Sequence, residues 1–259
     1  TRSLPLPGPY RMLTTVIWNM KLAERFLSEI RTSEWNARQD ERNPLMTMTM
    51  QVFSDYVCPY CYLGEVPLKT AAAKTGAQVV WRAFQLRRSA PAELDPREER
   101  KSDGWRNSVY PMAARLGVEI NRPSHAPMTR LAHEAAAWAR SQDHFEAFHK
   151  HLFHAYFVED KDIGELAVLK EIAWRAGLNS SELEQALNER RMAEDVDEDL
   201  LIAETYGVTV VPAFVIGGYL LQGVQEESTL VRAIELARDG KLDAEVKKLP
   251  HLPINIAKK

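Results

Sequence analysis

Both cysteines of the chain fall in one stretch, "SDYVCPYCYLG" (54–64), three residues apart with Pro-Tyr between them. What surrounds them constrains the fold more than any other feature. "MQVFSDYV" (50–57) alternates apolar and polar residues and is rich in β-formers, so it predicts a strand. "YLGEVPLKTAAAKTG" (62–76) predicts a helix that stops at Gly76, with Pro59 suited to its first turn, where no N–H is needed. "AQVVWRAFQL" (77–86) predicts a second strand. The cysteines therefore sit at the strand-to-helix turn of a β-α-β unit.

That placement favours redox chemistry. A helix N-terminus offers unpaired N–H groups and the positive end of the dipole, which favour a thiolate at Cys58. Cys61, one turn further and expected to be more buried, is within reach to resolve a mixed disulfide. Pro59 stiffens the first turn, and Tyr60 completes the dipeptide that tunes the pair. Without a histidine between the cysteines no cation assists the thiolate, so the expected potential lies nearer the glutaredoxin range of roughly −200 to −230 mV than about −120 mV. Zinc needs four ligands, and the sequence has no further cysteine. Two buried structural thiols are the remaining alternative.

"TVVPAFVI" (209–216) supplies a second element. Pro is excluded from central strands but tolerated at a strand's first residue. Val211 and Pro212 thus read as a substrate-site pair opposite the cysteines, with a cis bond expected. Gly217-Gly218 predicts a tight hairpin between Ala213–Ile216 and Tyr219–Gln222, and "EESTLVRAIELARDG" (226–240) a closing helix.

Between the two halves, helical signals dominate from about 105 to 205: 129–142, the aromatic stretch 143–159, 164–177, and 179–207 with its opening Ser/Glu capping pattern. The fold class that follows is α/β, a thioredoxin-like βαβ…ββα fold with an all-helical insertion. The expected organisation is an N-terminal extension (1–47), a thioredoxin-like domain (48–90 and 207–245), an inserted helical domain (91–206) and a tail (246–259). Within the extension, 16–31 predicts an amphipathic helix, and Met46, Met48 and Met50 are candidate start sites, so the extension need not be native.

Several other residues have two readings. Asp55 either accepts a proton near the thiols or raises the thiol pKa by its charge, or else it is a solvated strand-end carboxylate. Tyr56, Tyr60 and Tyr62 line a substrate rim or pack as core. His151 and His154 share a helix face, but with Phe145, Phe148, Phe153 and Phe157 nearby an aromatic packing face is favoured over a metal site. The acidic run "AEDVDEDL" (193–200) reads as a solvated face. Net charge is −3 over 259 residues, which gives no basic surface for nucleic acid or anionic membrane, and no apolar run is long enough to span a bilayer. "RMLTTVIWNM" (11–20) is a poor signal peptide, broken by Thr14, Thr15 and Asn19, and a cytoplasmic setting is expected.

"SDYVCPYCYLG", "HKHLFHAYFVEDKDIGELAVL" and "YGVTVVPAFVIGGYLLQGVQ" together resemble the DsbA-like thioredoxin superfamily, in particular its FrnE-like branch, over residues 48–240. The resemblance implies thiol–disulfide oxidoreductase activity, with Cys58 as nucleophile, Cys61 as resolving thiol and Pro212 as the cis-Pro. It implies protein or small-molecule thiols and disulfides as partners and no bound cofactor, with glutathione as a candidate co-substrate; a homodimer stays open. Two departures stand out. Tyr60 occupies a position where that branch often has Trp, and the extra C-terminal cysteines of some members are missing. The alternative is a glutathione-dependent transferase or isomerase of the kappa and hydroxychromene-carboxylate isomerase type. That group shares the fold but has Ser at the first cysteine position.

Overall fold

The computed structural model describes residues 47–87 and 103–242. The expected helix over 16–31, the candidate start at Met46 and the tail from 246 lie outside the described residues.

Strand β1 (Thr49–Ser54) runs into helix α1 (Pro59–Thr75) and then strand β2 (Gln78–Ala83). β1 is shorter than the expected 50–57, because Cys58 N–H donates to the Asp55 carbonyl at 3.0 Å and folds 55–58 into a turn. The helix begins at Pro59, the residue expected in its first turn, so Cys61 is helical. It ends at Gly76, whose left-handed φ of 68° lets its N–H return to Ala72 O.

A π-helical turn (Trp105–Val109) leads into α2 (Tyr110–Leu116), followed by α3 (Arg130–Ser141), α4 (Phe145–Phe157), α5 (Leu166–Arg175), α6 (Ser180–Asn188) and α7 (Ala193–Tyr206). All lie between β2 and β3 in the chain. The stretch 179–207 is two helices rather than one. Asn179 caps α6 by accepting Ser181 N–H and Glu182 N–H, and the chain breaks after Asn188 with Arg190 in the left-handed region at φ 53°.

The chain closes with β3 (Ala213–Ile216), β4 (Tyr219–Gln222) and α8 (Glu227–Arg238). Gly217 and Gly218 join the last two strands with φ of 55° and 83°, as a type I′ turn requires. At Gly217 a Cβ would also stand 2.8 Å from Ala237 Cβ.

The sheet has the order β2-β1-β3-β4, with β1 parallel to β2 and antiparallel to β3. Side chains alternate across it. Met50, Val52, Phe214 and Ile216 pack with Leu68 and Ala71 of α1 and Leu230 and Ile234 of α8. Phe53, Ala213 and Val215 point the other way, into a core completed by α3 to α7. Cys58, Cys61 and Leu63 belong to that second core, together with Phe148, Leu152, Phe153 and Phe157 of α4. The first turn of α1 is therefore floored by the inserted helices.

Candidate active site

Cys58 is the N-cap of α1, with extended φ and ψ of −91° and 113°, and Pro59 follows at the start of the helix. Both cysteines are free and buried, at 4% and 2% exposure, so burial alone does not distinguish them. Their electrostatics do. A hydrogen bond from the Cys61 thiol, aided by the N–H groups of Cys61 and Tyr60, holds the Cys58 thiol below the ordinary cysteine value, against burial and the Asp55 charge. Burial, followed by the bond and charge at Cys58, pushes Cys61 well above it. The two thiols thus differ in acidity, with the thiolate favoured at Cys58 and the thiol at Cys61.

Across from the helix, the Val211–Pro212 peptide bond is cis. Cys58 Sγ donates to the Val211 carbonyl at 3.5 Å. Gly64, one turn beyond the cysteines, faces the Pro212 ring so closely that a Cβ there would lie 3.4 Å from Pro212 Cγ. Among the described residues nothing accepts the Val211 N–H. The structure thus brings Cys58, Cys61, Val211 and Pro212 together, with Pro59 and Tyr60 forming the turn between the cysteines.

The tyrosines divide. Tyr56 is core, its hydroxyl 2.9 Å from His149 Nδ1. Tyr62 is half-buried and stacks on Phe157 with ring centroids 5.3 Å apart. Tyr60 donates its hydroxyl to Ser108 Oγ at 2.9 Å, which ties the dipeptide to the π-helical turn.

Asp55 is fully buried, so the solvated reading is excluded. Its Oδ2 accepts Leu86 N–H at 2.8 Å, and its Oδ1 lies 3.3 Å from His133 Nε2 on α3. Further along the chain, in α1, Glu65 Oε1 is 2.7 Å from His149 Nε2, close enough to pair although off line for a hydrogen bond. Burial pushes the Glu65 carboxyl up, but His149 and Lys69 outweigh it and hold it below the usual carboxylate range. Two histidines of the helices between β2 and β3 thus pair with carboxylates that precede and follow the cysteines in the chain, and both rings contact Tyr56. His151 and His154 do not converge on a ligand set: His154 Nδ1 bonds Glu159 at 3.0 Å. No group of three or more metal-binding side chains occurs among the described residues.

Sequence reasoning missed the acidic residue that matters in 193–200. Asp199 is buried, accepting Arg82 Nη1 at 2.9 Å and Ala83 N–H at 2.8 Å. It caps the outer edge of β2, which no strand covers among the described residues. His133 and Ser108 were also missed; each meets a partner far away in the chain, which spacing does not reveal.

Residues 49–235 match the DSBA-like thioredoxin domain. A curated relative, the uncharacterized protein YwbO of Bacillus subtilis, is 36% identical over 194 residues, which covers 73% of this chain and 96% of YwbO. Among solved structures, a probable DsbA oxidoreductase from Streptomyces coelicolor superposes with a TM-score of 0.67 at 24% identity, covering 73% of this chain and 89% of its own. A 2-hydroxychromene-2-carboxylate isomerase superposes with a TM-score of 0.62 at 19% identity, covering 77% and 99%. No helix of the described residues is long and apolar enough to cross a membrane.

Proposed function

The chain belongs to the DSBA-like thioredoxin domain family, and from that premise we propose that it is a thiol–disulfide oxidoreductase working through Cys58 and Cys61, of the FrnE-like branch and acting in the cytoplasm. The observation that carries the reading is the asymmetry of the pair at the α1 N-terminus, one thiol depressed and the other raised, with Cys58 Sγ against the Val211 carbonyl.

The cycle balances as follows. The Cys58 thiolate attacks one sulfur of a substrate disulfide; that S–S bond breaks, a mixed disulfide forms, and the first substrate thiolate leaves. Cys61 loses its proton and attacks Cys58 Sγ, expelling the second substrate thiolate. The enzyme ends as the Cys58–Cys61 disulfide and the substrate as two thiols, reduced by two electrons. Run in reverse, the same steps oxidise a dithiol. Val211 and Pro212, with Pro59 and Tyr60 at the rim, hold the substrate, and the unclaimed Val211 N–H suits the backbone of an extended peptide. Protein thiols and small thiols, glutathione among them, are the partner class.

The likeness in fold to the isomerase supports a second reading, in which Cys58 activates glutathione and Cys61 is dispensable. The electrostatics weigh against it, because Cys61 is the largest contributor to lowering the Cys58 thiol. Equilibration in glutathione redox buffers decides between them. The oxidoreductase reading expects a reversible two-electron transition nearer roughly −200 to −230 mV than −120 mV, and a value above about −150 mV contradicts the assigned tuning. Cys61→Ser is expected to trap a mixed disulfide on Cys58. Unchanged turnover in that variant, with no disulfide in any buffer, turns the assignment to glutathione-dependent chemistry.

A further inference from the structure

The loop leading into Pro212 is held by one side chain. Gln222, the last residue of β4, turns its amide oxygen back onto residues 209 and 210. There Oε1 accepts Thr209 N–H at 2.7 Å, Val210 N–H at 2.9 Å and the Thr209 hydroxyl at 3.2 Å. Three donors converge on this one atom, which fixes the amide orientation, since its NH2 end has no acceptor to offer them.

The backbone of the same segment holds the other side of the cis bond. Gly223 N–H donates to Pro212 O at 2.8 Å, and Gln222 is the register partner of Ala213. Buried Gln225 braces the staple from behind, donating Nε2 to Gln222 O and Gly223 O at 3.1 Å each. Residues 222–223 therefore grip the chain on both sides of Val211. Upstream of Val211 this grip does what packing does elsewhere: Thr209 is exposed, and Val210 is 51% exposed. Val211 itself carries the carbonyl that meets Cys58 Sγ.

We propose that Gln222 is a positioning residue for disulfide exchange, setting the backbone edge at 209–211 against which an extended peptide substrate lies. This rests on the oxidoreductase reading above. Gln222 is bonded to neither cysteine, so its effect falls on substrate binding rather than on sulfur chemistry. Freed from the clamp, the Thr209 and Val210 amides turn to water, and the edge must be ordered anew each time a substrate binds.

The test compares Gln222→Met, similar in length but lacking the oxygen, with Gln222→Glu, which keeps an oxygen acceptor. The substrate is a synthetic peptide pair joined by one disulfide. The Met variant is expected to raise KM roughly ten-fold while kcat stays within about two-fold, and the Glu variant to stay within about three-fold of the unsubstituted protein. The Cys58 alkylation profile against pH is unchanged in both. Amide hydrogen exchange at Thr209 and Val210 accelerates in the Met variant only. The proposal is overturned if Gln222→Met keeps its KM. It is equally overturned if both variants lose activity alike along with their Tm, which marks a general defect. Failure of the oxidoreductase reading looks different: the unsubstituted protein itself exchanges no disulfide.

Discussion

Replacing Gly64 by valine tests whether the packing between α1 and Pro212 governs the site. A Cβ at 64 lies 3.4 Å from Pro212 Cγ, the near limit of ordinary contact. Alanine therefore fits, and in a helix interior it gains roughly 0.5–1 kcal/mol over glycine by restricting the unfolded chain. Its expected stability is unchanged or slightly raised. Valine adds two methyl groups beyond that Cβ in a helix whose side chains have few rotamers, and Gly64 is buried, so the proline must yield. Overpacking of this kind costs about 1–3 kcal/mol, or a fall in Tm of roughly 3–10 °C for a domain of this size. The consequence for chemistry is larger, because Pro212 carries Val211 with it and a displacement near 1 Å costs up to about 100-fold in a reacting geometry. Thermal unfolding and disulfide-exchange kinetics on both variants make the comparison. A valine variant that is less stable but exchanges at the normal rate refutes the coupling, and one that is normal in both refutes the contact.

Three further outcomes are expected. Cys61→Ala removes the hydrogen bond that does most to depress the Cys58 thiol, so alkylation of Cys58 shifts to higher pH; a shift to lower pH contradicts the assigned cause. Asp199→Ala leaves the Ala83 N–H without its acceptor and Arg82 without its ion partner, and urea titration should show a loss of about 2–4 kcal/mol, with Asp199→Asn losing less. Glu65 has a depressed folded pKa, so its stabilising contribution is complete above the ordinary carboxylate range and is lost as pH falls through the folded value; Glu65→Gln should flatten the acid side of the stability profile, and an unchanged profile removes the His149 pairing as its cause.

The parts of this protein that were legible in the sequence are those whose partners lie nearby. The cysteine turn, the strand and helix around it, the Gly217-Gly218 hairpin and the Val-Pro pair are set by backbone preferences over a few residues. The aromatic face of α4 is equally readable, as periodicity. What stayed hidden depends on tertiary placement. Asp199 belongs to an acidic run that looks solvated, yet α7 lays it along the edge of β2, 117 residues away from Arg82. The break at Arg190 interrupts a stretch that reads as one long helix, because a single left-handed residue leaves no signature in helix-forming composition. Asp55 had two readings until His133 and Leu86 came to it from elsewhere in the chain.

The cysteines share one continuous core with helices that the chain inserts between β2 and β3. Such a molecule does not come apart into a reusable redox cartridge and a replaceable cap. A chain that exchanged its helical layer for another would have to rebuild the floor beneath its own sulfurs, along with the two histidine–carboxylate pairs that precede and follow the cysteines. Inheritance of the motif alone would then transmit two thiols without the setting that distinguishes one from the other.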